Sequence, residues 1–274
     1  MELIKGYQIR GVPGEVSRLR FSDRIVEYWA PQAASNHLLI AHDGQNVFDG
    51  KTSTHRGRTW EMAQHALKIS HEIGVVPPVI IGVWHSSSKS DPWGRGKDLS
   101  PQRYFQDGIS IQIPNLTSDD LSQLHGDKYL SNIFDIYVPQ ILNYLNLSIK
   151  SENTAMIGSS MGGLSTLYAV ATHPEKFKTA LALSPHWPIG GKELVARTIK
   201  ALPAAGTHKI WMSRGTKGLD ATYQPFQELA DQLTLDRGYR LARDFESKIF
   251  KKTGHNERSW ASYLDQPLRF WLNS

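Results

Sequence analysis

Gly158-Ser159-Ser160-Met161-Gly162-Gly163 is the stretch on which the reading of this chain turns. It matches the pattern G-x-S-x-G and lies between a short apolar run, 154–157, and a segment of helical spacing, 161–172. A strand that turns straight into a helix at such a motif must reverse within one residue. Ser160 then takes a strained backbone conformation, and side chains two positions to either side would collide. The bend leaves the serine oxygen at a helix N-terminus, where the dipole favours developing negative charge. The spacing fits neither G-x-G-x-x-G nor G-x-x-x-x-G-K-[ST], so dinucleotide and P-loop readings fall away. Ser160 is the expected nucleophile.

Outward from this motif the chain alternates. Runs at 179–183, 209–212 and 245–250 read as strands, and segments at 192–200, 221–236 and 257–272 read as helices. Upstream, 37–41 and 78–83 are compact apolar runs of the kind shown by strands buried on both faces. Helical spacing covers 60–73 and 129–145, the latter with a kink expected at Pro139. Before them, 16–21 and 24–29 alternate with period two around Ser22-Asp23, an antiparallel hairpin. Strand–helix alternation of this kind predicts an α/β protein with a mostly parallel central sheet, helices on both faces and an N-terminal antiparallel hairpin; with the G-x-S-x-G elbow between a strand and a helix, the expectation is the α/β-hydrolase fold. One domain is expected over 1–274, with a long loop or partial lid at about 85–120. That stretch carries Trp93, Tyr104 and Phe105, and reads either as surface loop or as a lid with aromatic walls.

A nucleophilic serine needs a base and an acid, which in this fold follow it in the order acid, then histidine. After Ser160 the histidines are His173, His186, His208 and His255. His173 suits the end of the elbow helix, and His208 opens a strand. His186 is read as an ordinary loop histidine, with the pocket wall as its alternative. His255, in Thr253-Gly254-His255-Asn256-Glu257, lies between the last strand and the last helix and is the expected base. For the acid, Glu228, Asp231 and Asp236 fall within a helix. Asp220 follows the glycine-bearing segment Arg214-Gly215-Thr216-Lys217-Gly218-Leu219 and can present its carboxylate to an imidazole. Its competing reading is the N-cap of the helix from Ala221.

Taken together, Ala41-His42-Asp43-Gly44-Gln45-Asn46-Val47-Phe48-Asp49, the elbow, and Gly254-His255-Asn256-Glu257 with Trp260 resemble the esterase D-like family of serine α/β-hydrolases. Gly126-Asp127-Lys128-Tyr129-Leu130 and Tyr137-Val138-Pro139-Gln140-Ile141 resemble that family's segment before the elbow. The family includes siderophore esterases, feruloyl and acetyl-xylan esterases and S-formylglutathione hydrolases. The resemblance implies an acyl-enzyme ester hydrolase acting on a small or medium ester. Its catalytic residues would be Ser160, His255 and Asp220, and its oxyanion hole the amides of Met161 and Gln45, with Gly44 the alternative to Gln45. An acyltransferase or thioesterase on the same scaffold, and a non-catalytic binding protein of the same fold, are the other readings.

Composition narrows the field. Lys+Arg 31 against Asp+Glu 26 is a mild, dispersed excess, so no nucleic-acid partner is expected. Cysteine is absent, which excludes disulfides, zinc–thiolate sites and cysteine nucleophiles. No metal or organic cofactor is expected, the His42-Asp43 pair lacking further ligands at suitable spacing. No apolar run approaches the ~18 residues of a membrane span, and residues 1–10 lack the apolar core of a signal peptide. A cytoplasmic protein whose partner is a small-molecule ester is expected, its oligomeric state left open.

Overall fold

The computed structural model describes residues 1–54, 57–112 and 118–273. Among the described residues nine strands form one sheet: β1 (Glu2–Tyr7), β2 (Val16–Arg20), β3 (Ile25–Trp29), β4 (Leu38–Ala41), β5 (Val79–Val83), β6 (Thr154–Ser159), β7 (Thr179–Leu183), β8 (Lys209–Lys217) and β9 (Phe245–Gly254). Their order is β1-β2-β3-β5-β4-β6-β7-β8-β9. The first three strands and β5 pair antiparallel, and every pairing from β5 to β9 is parallel. This is the α/β-hydrolase arrangement, with the expected hairpin appearing as β2 and β3. The edge strand β1 is exposed along nearly its whole length, Leu3 and Ile4 included, so it has no alternation of buried and exposed positions for the sequence to reveal.

Strand periodicity sorts the core into two layers. In β4, Leu38 and Ile40 join one apolar cluster with Met156, Ala180 and the elbow helix Met161–Thr172. Leu39 and Ala41 join the opposite cluster with Ile157, Leu181, Trp211 and the helices Met62–Ile73 and Asp265–Leu272. Successive residues of a strand point to opposite faces, so a run apolar at every position is buried on both sides. The elbow helix is buried from Met161 through Val170, as a helix without a polar stripe must be.

The helix expected over 129–145 is broken differently from the expectation. Gly126–Asn132 and Val138–Tyr144 are α-helical, and Ile133–Tyr137 between them is a π-helical turn. Pro139 has no N–H to return to the carbonyl four residues earlier, and the widened turn lies before the proline. The 257–272 helix is likewise divided, into Glu257–Ala261 and Asp265–Leu272.

The 85–120 stretch carries short helices at Gly94–Leu99, Gln102–Gln106 and Ser118–Ser122, while residues 113–117 lie outside the described residues. Leu99, Tyr104 and Phe105 are buried in the first core layer. A fully buried carboxylate fastens the segment: Asp98 accepts from Arg24 Nη1 at 2.6 Å and Nη2 at 3.0 Å, and from the Ser86 amide at 2.7 Å. His125 Nε2 lies 2.9 Å from its Oδ1. Burial alone would raise the Asp98 carboxyl, but the hydrogen bonds from His125 and Arg24, with the arginine's charge, bring it down to about 2. Among the described residues no helix is long and apolar enough to cross a membrane.

A depressed carboxyl pKa stabilises the fold above the unfolded value near 3.9, and that contribution disappears as pH falls toward about 2. Asp98→Asn, which leaves Arg24 with its charge buried and its main partner neutral, is expected to lose about 3 kcal/mol at neutral pH. It should also show a flatter stability profile than the parent between about pH 4 and pH 2. Urea unfolding across that range measures both.

Candidate active site

The parallel strands deliver their following loops to one end of the sheet, where the expected residues assemble. β6 ends at Ser159, and Ser160 takes φ 56°, ψ −123°, a conformation that costs roughly 1–3 kcal/mol for a residue with a side chain. A Cβ on Gly158 would stand 2.3 Å from the backbone of Gly162, so the bend closes only with glycine there. The Ser160 amide donates to the Leu183 carbonyl of β7 at 2.9 Å, fixing the elbow against the neighbouring strand. Ser160 itself is 8% exposed.

His255 follows β9 and precedes the helix Glu257–Ala261. Asn256 caps that helix, its side-chain oxygen accepting from the Ser259 amide at 3.0 Å, while the Gly254 amide donates to Ser259 Oγ at 3.0 Å. The two bonds bracket the histidine. Its Nδ1 is 2.6 Å from Asp220 Oδ1. Asp220 is fully buried in the first turn of the helix Leu219–Thr222, which Gly218 precedes, so its side chain serves the histidine rather than capping a helix from Ala221. Its other oxygen accepts from Ser184 Oγ at 3.0 Å and from the Gly215 amide at 2.8 Å. A Cβ on Gly215 would meet Thr253 O at 2.4 Å and Asp220 Oδ2 at 2.6 Å, so only glycine lets the acid approach. Trp260, its Nε1 donating to Ser184 Oγ at 3.3 Å, lies edge-on to the His255 ring with centroids 5.0 Å apart.

Met161 opens the elbow helix, so its amide belongs to the first-turn donors that a helix leaves without an internal acceptor. Gln45 lies in the single 3-10 turn Gly44–Asn46 after β4, and is buried. His42 and Asp43 lie between β4 and that turn. His42 Nδ1 is 2.8 Å from the Tyr129 hydroxyl. Asp43 takes a bidentate pair from Arg95, both bonds 2.7 Å. Burial would raise the Asp43 carboxyl, but the Arg95 guanidinium holds it below the ordinary value. Arg95 also reaches the Ser159 carbonyl at 3.4 Å, so the 85–120 segment is tied to the elbow itself.

Two polar residues at the site carried no signal, or a weak one, in the sequence. Tyr223 is fully buried, its hydroxyl bonded to His186 Nδ1, its ring edge-on to His255 at 5.3 Å between centroids. His186, on the loop after β7, lies beside the elbow, its amide donating to the Ser160 carbonyl at 3.1 Å. Burial, followed by the charges of His255 and Arg95, lowers His186 to about 4.

Fold and site together define an α/β hydrolase with a strained serine and a carboxylate-bound histidine at the same end of the sheet. A sequence profile described as "Putative esterase" matches residues 127–270, and the chain belongs to that family. A 93-residue stretch is 30% identical to the uncharacterized protein YbbA of Bacillus subtilis, covering 34% of this chain and 36% of that protein. The enterobactin esterase FES of Shigella flexneri superposes with TM-score 0.66 at 17% identity, over 96% of this chain. This chain spans 60% of that enzyme's length. The BES protein of Bacillus cereus gives 0.63 at 15% identity, covering 97% of this chain and 94% of that one. Siderophore hydrolase EstA of Aspergillus nidulans gives 0.59 at 19%, covering 97% and 95%. At these identities the superpositions speak for the fold.

Gly158→Ala places a methyl group into backbone and is expected to cost at least about 3 kcal/mol, the upper end for overpacking, because no flexible side chain can yield. Chemical denaturation reads the loss, and a change below about 1 kcal/mol would contradict the tight bend.

Proposed function

We propose that the protein is a serine carboxylic ester hydrolase that works through an acyl-enzyme on a small or medium ester. The single observation that carries this reading is the 2.6 Å contact between His255 Nδ1 and the buried Asp220 carboxylate, at the sheet end where the strained Ser160 elbow lies. A carboxylate on Nδ1 fixes the tautomer that leaves Nε2 free to accept a proton, which is what a serine nucleophile requires. Family membership favours an ester bond as the target, as do the enterobactin and siderophore hydrolases among the structural neighbours.

In this reading Ser160 Oγ attacks the ester carbonyl as His255 Nε2 takes its proton. The amides of Met161 and Gln45 receive the negative charge that develops on the carbonyl oxygen, each such donor being worth about 3 kcal/mol in comparable sites. His255 then protonates the departing alcohol, leaving Ser160 acylated. Water, deprotonated by the same histidine, attacks the acyl carbon and releases the acid. Asp220 holds the imidazole and stabilises the imidazolium without itself taking the proton.

An organophosphonate is expected to label Ser160 with one equivalent. Ser160→Ala should lose at least about 10⁴-fold in kcat on p-nitrophenyl esters while its unfolding midpoint stays near the parent's. Appreciable residual turnover in that variant would refute the assignment. Asp220→Asn is expected to reduce kcat by about 10⁴-fold through the wrong imidazole tautomer, with KM little changed. Steady-state kinetics on acetyl, butyryl and feruloyl esters measures both and ranks acyl groups.

A further inference from the structure

The bond to Asp220 holds one atom of the His255 ring and leaves the tilt of the ring undefined. A single hydrogen bond of 2.6 Å at Nδ1 is a pivot, and the second side-chain torsion of a histidine is broad. Neighbouring groups must therefore set the plane. Two aromatic rings meet the imidazole edge-on, Trp260 with centroids 5.0 Å apart and Tyr223 at 5.3 Å. Trp260 is backed in turn by the buried Trp60, at 5.9 Å between centroids. Tyr223 is fully buried, a place where packing alone would be served as well by phenylalanine. What phenylalanine would lack is the hydroxyl bonded to His186 Nδ1.

The polar ends of both rings are tied to one stretch, 183–186, where β7 ends. Trp260 Nε1 donates to Ser184 Oγ at 3.3 Å, and the Tyr223 hydroxyl meets His186. The same stretch holds the backbone of the elbow at two points. The Ser160 amide donates to the Leu183 carbonyl at 2.9 Å, and the Ser160 carbonyl accepts from the His186 amide at 3.1 Å. Ser184 is itself pinned to β8, its amide donating to the Ser213 carbonyl at 2.7 Å. The stretch is thus a common frame: its backbone bonds the elbow, and its side chains bond the rings that pack on His255. An imidazole referred to the same frame as the serine keeps its bearing on it.

We propose that Tyr223 is a positioning residue for the base: tethered by His186, its ring fixes the tilt of the His255 imidazole relative to the Ser160 elbow. This rests on the acyl-enzyme reading above. Tyr223 gives no proton and forms no bond to substrate; its hydroxyl is an anchor for its ring. His255 serves as base toward Ser160 in the first half-reaction and toward water in the second. A tilted imidazole handicaps both, so loss of the tether slows acylation and deacylation together and leaves substrate binding near its parental value. Misplacing a reacting group by about 1 Å costs about 10²-fold in rate, which sets the scale of the effect.

Tyr223→Phe and His186→Leu cut the same tether from its two ends. Each is expected to lower kcat on a p-nitrophenyl ester by about 10-fold, part of the cost of a full misplacement, with KM little changed. The double variant should be no slower than the slower single one, because one bond can be removed only once. His186→Gln, which can donate to the phenol or accept from it, should restore most of the turnover. Tyr223→Leu removes the ring as well and should lose about 10²-fold; should it not fold, the tether variants decide alone. Organophosphonate labelling of Ser160 should slow in step with turnover, since both need the base. The proton shared by His255 Nδ1 and Asp220 should give a far-downfield NMR resonance that broadens in Tyr223→Phe, while the thermal midpoint stays within a few degrees of the parent's. Multiplying effects of the two single substitutions overturn the proposal, as does slowed turnover with parental labelling. Failure of the parent to label at Ser160 sinks the acyl-enzyme reading and this inference with it. A parent that labels, with parental kinetics in both tether variants, removes only the positioning role.

Discussion

The buried carboxylate of Asp220 is the point at which the functional end of this molecule is held together. It accepts hydrogen bonds from three separate segments: Ser184 after β7, the Gly215 amide in β8, and His255 after β9. A carboxylate withdrawn from water is costly unless such partners are supplied, so each of the three loops is constrained by the need to satisfy it. Trp260 closes the circuit by bonding Ser184 and packing against His255. The glycine at 215 is the condition for all of this, because any side chain there would occupy the space of the acid.

A second set of buried charges does for the other side of the site what Asp220 does for the first. Asp43 pairs with Arg95, and Asp98 with Arg24, both bidentate. The consequence is positional: the 94–106 region, bearing two short helices, is tied to the hairpin through Arg24 and to the elbow through Arg95. Such pairs contribute little net stability when compared with apolar packing, but they fix geometry, because breaking one leaves an unpaired charge inside. Arg95 remains 31% exposed, with Asp43 nearly fully covered beneath it.

Tyr223 and His186 belong with this logic. The short helix after β8 presents Asp220 and, three residues on, Tyr223, so one turn of chain supplies both the carboxylate bonded to His255 and an aromatic ring packed against it. The loop after β7 likewise supplies Ser184 to the acid and His186 to the tyrosine. Two adjacent segments therefore brace His255 and Ser160 at once.

The sequence by itself determined the alternating elements and the elbow that bears Ser160, and it singled out His255 and Asp220, which the fold brings into contact, because each reading depends on local chemistry: apolar runs of strand length, glycines flanking a bend, a histidine following the last strand. Local patterning did not reveal β1, whose residues are exposed at an edge, nor the π-helical turn before Pro139, where a missing N–H is felt several residues upstream. What only the tertiary structure decided are the long-range partners. Arg95 meets Asp43 across 52 positions, Arg24 meets Asp98 across 74, and Tyr223 meets His186 across 37. No periodicity or motif encodes such pairings, since they arise when the sheet brings distant loops to the same edge and burial then forces every polar group there to find a partner.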